Sequence, residues 1–364
     1  MTRVVITGGG TGGHLMPALA LAEALKEVRG DLEPVLVGAA RGIEARILPE
    51  RQYRYHLVPA EPLHRRQWWR NLKWPLTWRR LRRACDLILD REQPAFILGT
   101  GGYAAVGLLL RARRRGIPLA LQEQNAYPGI TTRWFARHAR QVHLGFPEAR
   151  EYLRVGPHCE VWTYGNPITP PPEPRPSLAD ARASLGIAVD RPAVFVMGGS
   201  QGALGINRAV ARAIDRGGLD GITLLWSVGA GLWDRYRHYH APPDRTLRPF
   251  WDPVGTAYAA ADLVVARAGA MTTAELCAWG CPAILIPLPT AAADHQTRNA
   301  QALAGAGAAV YLAESELRPG VLEERVRGLL TARPRLERMK RSAVARSRPN
   351  AARDTAVRLV ALVS

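Results

Sequence analysis

Two segments of this chain open in the same way. Residues 4–13 read VVITGGGTGG and residues 194–203 read VFVMGGSQGA. Each is a short apolar run, then a glycine cluster, then an amphipathic stretch. That order is the start of a βαβ unit: the glycines let the backbone turn sharply at the sheet edge and bring a ligand close to the main chain. Meeting it twice in 364 residues predicts two doubly wound α/β domains. At roughly 150 residues each, both can bury a core of their own.

The rest of the chain keeps the pattern. Apolar runs at 4–6, 34–37, 96–98, 119–122 and 142–144 read as strands, with helices at 15–28 and 76–91. Runs of this kind between helices mark a parallel sheet covered on both faces. At 165–176 the chain reads GNPITPPPEPRP, an extended and stiff stretch that makes the best domain boundary. Strands are expected again at 193–197, 223–227, 263–265 and 283–287, with a helix from Leu204. Two basic helices, near 334–347 and 350–363, follow. The reading is therefore an N-terminal domain over 1–164 and a C-terminal domain over 165–347. Doubly wound sheets bind ligands at their strand C-terminal ends, so the two are expected to face a shared cleft.

Composition narrows the class. Apolar residues make up 47% and charged residues 22%, as in globular proteins. No run approaches the ~18 apolar residues of a membrane span. The chain enters its first strand at once, which leaves no room for a signal peptide. Cys85, Cys159, Cys277 and Cys281 fit neither a disulfide framework nor zinc spacing, and read as reduced thiols in the cytoplasm. Net charge is +18, which points to an anionic partner. Only Lys26, Lys73 and Lys340 are lysines, so arginine-rich composition explains part of it, and the location of the charge matters more than its total.

The first loop holds Gly8, Gly10 and Gly13 in dinucleotide-fingerprint spacing. That fold also needs an acid at the end of the second strand to hold a ribose. The strand ends Val37-Gly38-Ala39-Ala40-Arg41, without one. An anion-binding loop is the reading that survives, set against a purely structural turn. His14 follows in the first turn of the helix, where the dipole disfavours its protonated form. It is either a proton acceptor or a loop-bracing histidine. A third cluster, 99–103, reads GTGGY and should stand beside the first at the sheet edge. Gln122, Glu123, Gln124 and Asn125 end the next strand, as site residues or as a buried polar network. In the second half RAGAMTTAE at 267–275 opens a helix, and Glu275 suits a ribose diol. Gly-Lys-Ser/Thr, Asp-x-Asp and Gly-x-Ser-x-Gly are absent, which argues against a P-loop ATPase, a carboxylate-held divalent ion and a serine hydrolase.

Residues 63–83, LHRRQWWRNLKWPLTWRRLRR, hold eight basic residues, no acid and four of the ten tryptophans. Trp78, Leu81, Cys85 and Ile88 share one helix face and should pack inward. Arg66, Trp68, Trp69, Arg70, Lys73 and Trp74 precede or open that helix. Tryptophan beside arginine suits an anionic membrane surface. Single-stranded nucleic acid and a plain surface loop are the weaker readings.

Seven motifs in order now coincide with one family: GGGTGGHLMPALALAEAL at 8–25, GTGGY at 99–103, QEQNAYPG at 122–129, GNP at 165–167, GGSQGA at 198–203, RAGAMTTAE at 267–275 and DHQTRNA at 294–300. The chain resembles the MurG family of peptidoglycan N-acetylglucosaminyltransferases over nearly its whole length. The resemblance implies a GT-B fold, two Rossmann-like domains, with the helix at about 348–364 returning to the first. It implies inverting transfer of GlcNAc from UDP-GlcNAc to the muramoyl C4 hydroxyl of lipid I, giving lipid II, without a metal or other cofactor. Such an enzyme serves cell-wall synthesis, and through it cell shape and division. It sits peripherally on the cytoplasmic face of the membrane, has cell-wall synthesis proteins as possible partners, and takes no nucleic acid.

By the same resemblance the UDP-GlcNAc contacts fall on Thr11, Gly12, Gly13, Asn125, Ser200, Trp251, Ala270, Met271, Thr272, Thr273, Ala274, Glu275 and Gln296. Gly10, Gly101, Gly102 and Tyr103 would hold the acceptor's pyrophosphate. His14 and Glu123 are the candidate bases, with His14 preferred. Two departures stand out. The family usually carries Val-Arg after GNP, where this chain has Ile168-Thr169, and Arg267 is a candidate to compensate. The GTGGY motif continues Ala104-Ala105-Val106-Gly107, where a serine and a proline are usual. The rival readings are a related transferase acting on another lipid, such as a diacylglycerol, and a nucleotide sensor without turnover.

Overall fold

The computed structural model describes residues 1–61, 74–199 and 201–363. The chain forms two compact units, the first from Met1–Ile168 with Pro349–Ser364, the second from Thr169–Arg348. The chain thus leaves the first unit, builds the second and returns.

The first unit is built on seven parallel strands: β1 (Thr2–Gly8), β2 (Leu32–Ala39), β3 (Arg54–Val58), β4 (Ile97–Gly101), β5 (Leu119–Glu123), β6 (Gln141–Leu144) and β7 (Glu160–Trp162). Their spatial order is β3-β2-β1-β4-β5-β6-β7. Strand order reverses between β1 and β4, which pair directly, Val5 opposite Ile97 and Ile6 opposite Leu98. Period-two alternation sends successive β1 residues to opposite layers. Val5 joins Val35, Leu81, Cys85, Ile88 and Leu108 in one core. Val4 and Ile6 join Leu15, Leu21, Leu25, Ala356 and Leu359 in the other. The last two belong to the helix Ala351–Val360, which therefore completes the layer begun by the helix Gly12–Val28. Of the expected inward stripe of the helix Trp74–Glu92, Leu81, Cys85 and Ile88 are buried and Trp78 is partly buried against the same core.

The second unit repeats the plan with β8 (Ala193–Met197), β9 (Thr223–Ser227), β10 (Arg245–Arg248), β11 (Leu263–Ala266), β12 (Ala283–Leu285) and β13 (Ala309–Tyr311), in the order β10-β9-β8-β11-β12-β13. Its reversal lies between β8 and β11.

The differences from expectation fall at the margins. The expected strand at 283–287 stops at Leu285, and that at 96–98 starts at Ile97 and runs to Gly101. The first helix begins at Gly12, ahead of the expected position 15, because the glycines themselves form its first turn. Four strands went unread: β3, β7, β10 and β13. All four are sheet edges with partly exposed residues; β3, β7 and β10 carry charged residues in place of a continuous apolar run, and β13 is apolar but only three residues long. Polar side chains anchor β3 instead. Arg54 Nη1 and His56 Nε2 lie 3.0 and 2.8 Å from the buried Glu92 carboxylate. Burial alone would raise that carboxyl's pKa, but these partners hold it below the usual range.

Among the described residues no helix is long and apolar enough to cross a membrane.

Candidate functional site

In open α/β sheets ligands collect outside the strand C-terminal ends, where strand order reverses. In the first unit that place is flanked by the loops after β1 and β4. These two loops interlock. Gly9 N–H donates to Gly101 O at 3.3 Å. A Cβ on Gly102 would overlap Gly9 O, and one on Gly10 would overlap the Tyr103 ring. Gly10, Gly101 and Gly102 all have positive φ, +95°, +97° and +80°, conformations that favour glycine. Glycine at 102 therefore lets two backbones touch, and glycine at 10 and 101 lets the Tyr103 and His14 rings close on the main chain.

This corrects the expectation for Gly10. Its N–H donates to Glu44 Oε1 at 2.5 Å, so the protein itself occupies the amide expected to hold a phosphate. Gly101 and Gly102 likewise turn their crowded faces to His14 and Gly9. The helix Tyr103–Arg114 starts directly after them, with Ala104 and Ala105 fully buried. Tyr103 is half-buried, and burial pushes its phenol pKa up.

Gly12 and Gly13 behave differently. Among the described residues a Cβ on Gly12 would meet nothing within 4 Å, and one on Gly13 only Thr11 Oγ1 at 3.7 Å. They sit in the first helical turn, whose N–H groups lack helical acceptors and carry the positive end of the dipole. His14 stands directly behind them. Its Nδ1 is 3.0 Å from Thr11 Oγ1, its carbonyl accepts from Thr100 Oγ1 at 2.9 Å, and its ring lies against Gly101.

Glu123 and its neighbours are a brace. Glu123 Oε1 accepts from Asn125 N and Nδ2 at 3.0 and 3.1 Å, and Oε2 accepts from Gly129 N at 2.9 Å. The carboxylate is buried and both oxygens hold their own loop, which corrects its reading as a base. Gln122, Gln124 and Asn166 form the buried network that was one of the two readings. Gln124 Nε2 donates to Thr100 O at 2.8 Å, and Asn166 Nδ2 to Gln124 O at 2.9 Å. The GNP asparagine thus ties the end of β5 to the following loop.

In the second unit the corresponding loops follow β8 and β11. Ser200 lies outside the described residues. Beside it Gly199 has φ +81° and an open Cβ position, whereas Gly202 packs on Val228 O and Gly229. Asn207 fixes the next helix, Leu204–Asp215, donating to Val228 O at 2.8 Å and accepting from Trp226 Nε1 at 3.0 Å.

The helix Ala270–Trp279 starts beside Gly269, whose own Cβ position meets only Thr272 Oγ1 at 3.8 Å. Ala270, Met271, Thr272, Ala274 and Glu275 are half-exposed. Thr273 is a correction: it is fully buried and its hydroxyl donates to Ala270 O at 2.8 Å. Burial raises the Glu275 pKa, and a hydrogen bond from Tyr258 Oη at 2.9 Å opposes that rise. Phe195 packs on both Tyr258 and Trp251 with centroids 5.8 and 5.7 Å away, so Trp251 and Glu275 belong to one cluster. The Trp251 ring is buried under the Arg248 guanidinium at 4.3 Å, and its Nε1 finds no hydrogen-bond partner among the described residues. Gln296 Oε1 accepts from Leu288 N at 2.9 Å.

Arg267 does not replace the missing arginine. It is buried, donates to Ile286 O and Pro287 O at 3.1 and 2.9 Å, and pairs with Glu314. Its charge is committed to joining the ends of β11 and β12 to the segment after β13.

Arg66, Trp68, Trp69, Arg70 and Lys73 lie outside the described residues, as does the side chain of Trp74. Glu44 was missed, because it stands beyond the apolar run of β2 and in no motif.

Two Rossmann-type units, each with glycines and a helix start at its reversal point, define a protein of the GT-B fold class. Profiles of the glycosyltransferase family 28 N-terminal and C-terminal domains match residues 4–144 and 193–356. A protein of Salinibacter ruber is 39% identical over 99% of this chain and 96% of its own length. One of Chlorobaculum parvum is 40% identical over 99% of both. Each is named UDP-N-acetylglucosamine–N-acetylmuramyl-(pentapeptide) pyrophosphoryl-undecaprenol N-acetylglucosamine transferase. The crystal structure of Acinetobacter baumannii MurG matches with a TM-score of 0.80 at 28% identity, covering 99% of this chain and 100% of that one. A UDP co-structure of S. aureus MnaA, TM-score 0.69 at 13% identity, shares the fold alone. The chain belongs to glycosyltransferase family 28, in the MurG family.

Proposed function

We propose that this protein transfers GlcNAc from UDP-GlcNAc to the muramoyl C4 hydroxyl of lipid I, with inversion, to make lipid II. The observation that carries the reading is the 39–40% identity, over 99% of the chain, to proteins bearing that activity in their names. The geometry supports it on both substrates. Glu275, half-exposed and hydrogen-bonded by Tyr258, offers a carboxylate to a ribose diol, and the helix starts at Leu204 and Ala270 offer amides to a diphosphate. Gln296 and the backbone at Trp251 extend that site toward the sugar and the base. In the first unit Thr11, Gly12, Gly13 and Asn125 supply the polar groups.

The C4 hydroxyl attacks C1 of GlcNAc in line with the departing UDP, whose developing charge the helix N-termini stabilise. The hydroxyl proton passes to His14 Nε2. For this the ring proton resides on Nδ1 and is donated to Thr11 Oγ1 at 3.0 Å. The long lipid of the acceptor requires the enzyme to work at a membrane surface, and the basic 63–83 stretch is the part suited to meet an anionic one on the cytoplasmic side.

Purified protein given UDP-GlcNAc and lipid I should yield lipid II. Transfer to a diacylglycerol instead would favour the related lipid transferase, and tight NADPH binding without UDP-GlcNAc binding would favour the sensor.

A further inference from the structure

The second strand of a dinucleotide-binding unit ends near an acid that accepts the ligand's ribose hydroxyls. The sequence lacks an acid at the end of β2, yet the fold supplies one. Glu44 opens the short helix Glu44–Ile47 just beyond the strand, and it is fully buried beneath the first glycine loop. Its carboxylate faces the protein. Oε1 accepts the Gly10 N–H at 2.5 Å. Cβ atoms on Gly9, Gly38 or Gly42 would all overlap its side chain, so three glycines cradle it. Oε2 is buried with no hydrogen-bond partner among the described residues.

That arrangement is poor as plain core packing. A buried acceptor without a partner works against the fold, and an apolar side chain would fill the same space without it. What only a hydrogen-bond acceptor of this length does here is hold Gly10 N–H. Gly10 lies at φ +95°, with the Tyr103 ring against its other side. The loop is thereby gripped from two directions just before Thr11 and His14.

We propose that Glu44 is a positioning residue: its carboxylate clamps the Gly10 amide and so fixes the loop that presents Thr11, Gly12, Gly13 and His14. The same clamp keeps an anion off the Gly10 amide and directs it to the open helix start at Gly12 and Gly13. The catalytic part of this inference rests on the transfer reading above.

Glu44→Asp and Glu44→Gln separate hydrogen bonding from charge. Aspartate keeps the charge but is one methylene too short to reach Gly10. Glutamine keeps the reach and a carbonyl acceptor. For Glu44→Asp we expect kcat for lipid I to fall about 10- to 100-fold, as for a misplaced reacting group. The dissociation constant of UDP should stay within about twofold, since its main contacts lie in the second unit, and the Gly10 amide resonance should shift. Glu44→Gln should restore kcat to within about threefold of wild type and return the Gly10 resonance toward its original position. Gly42→Ala, which pushes on the carboxylate while leaving Glu44 in place, should reproduce the aspartate result. A fully active Glu44→Asp, or a Glu44→Gln as impaired as Glu44→Asp, overturns the clamp. An unmoved Gly10 resonance in Glu44→Asp does so too, whatever the substrate. Wild-type protein that makes no lipid II defeats the transfer reading instead, and the clamp is then decided by the Gly10 resonance.

Discussion

The Tyr258 phenol donates to the Glu275 carboxylate at 2.9 Å, within a cluster that also holds Phe195 and Trp251. Burial raises the Glu275 pKa and this hydrogen bond limits the rise. A ribose diol is held best by the ionised carboxylate, so UDP affinity should fall as pH drops through a pKa above the ordinary glutamate value of about 4.3. Tyr258→Phe should move that limb to higher pH. Calorimetric titration of UDP across pH 4–8 checks both. The stability effect has the opposite sense. An acid whose pKa is raised by folding stabilises the fold most when protonated, and that contribution is lost as pH climbs through the folded pKa.

His14→Ala should lower kcat by about 10²–10⁴-fold, the usual contribution of a general base. UDP-GlcNAc binding should change far less. Single-turnover rates and equilibrium binding on the same variant separate the two, and equal losses in both would remove His14 from the chemistry. Thr11→Ala, which deletes the partner of Nδ1, should show a smaller loss in the same direction.

Gly102→Ala and Gly12→Ala form a matched pair. The first places a methyl on Gly9 O at a positive φ and should destabilise the protein by roughly 2–4 kcal/mol. The second meets open space and should leave the melting temperature unchanged while weakening substrate use. Thermal unfolding and steady-state kinetics on both variants test the division between interlocking and open glycines.

His143 gives an acid-sensitive fold. It is buried, its Nε2 lies 3.2 Å from Gln141 Oε1, and desolvation, with the Arg358 charge, pushes its pKa down to about 3. A base depressed by folding contributes stability above its unfolded value near 6.5, and that stability is lost as pH falls from there toward 3. The slope is about 1.4 kcal/mol per pH unit below 6.5. Urea denaturation at pH 7.5 and 5.5 should show it, and His143→Gln should flatten it.

Replacing Arg66, Trp68, Trp69 and Arg70 together should release the protein from anionic vesicles and spare transfer to a soluble acceptor analogue. Vesicle sedimentation at two salt concentrations measures this. Unchanged binding would return the stretch to a plain surface loop.

The parts legible in the sequence were those that hydrophobicity writes directly. Central strands such as β1, β5, β8 and β9 are buried on both faces and carry apolar runs, whereas β3, β7 and β10 are interrupted by charged residues and β13 is only three residues long. Glycine motifs marked the two reversal points, but a glycine letter does not say what it makes room for. Gly10 and Gly102 make room for protein, Gly12 and Gly199 for open space. The partners of buried charges were also invisible. Arg267 looked available until Glu314 and two carbonyls were found around it. Glu44 is unremarkable in the sequence, and it is the loop after β1, at Gly9, and the end of β2 with the turn after it, at Gly38 and Gly42, that close over it.

The helix Ala351–Val360 belongs to the first unit and packs its Ala356 and Leu359 into the same core as Leu15 and Leu21. A ribosome has to complete all of Thr169–Arg348 before this piece emerges. Until then the helix that carries His14 has part of its apolar side facing water. The first unit can therefore complete this layer only after the second unit has been synthesised.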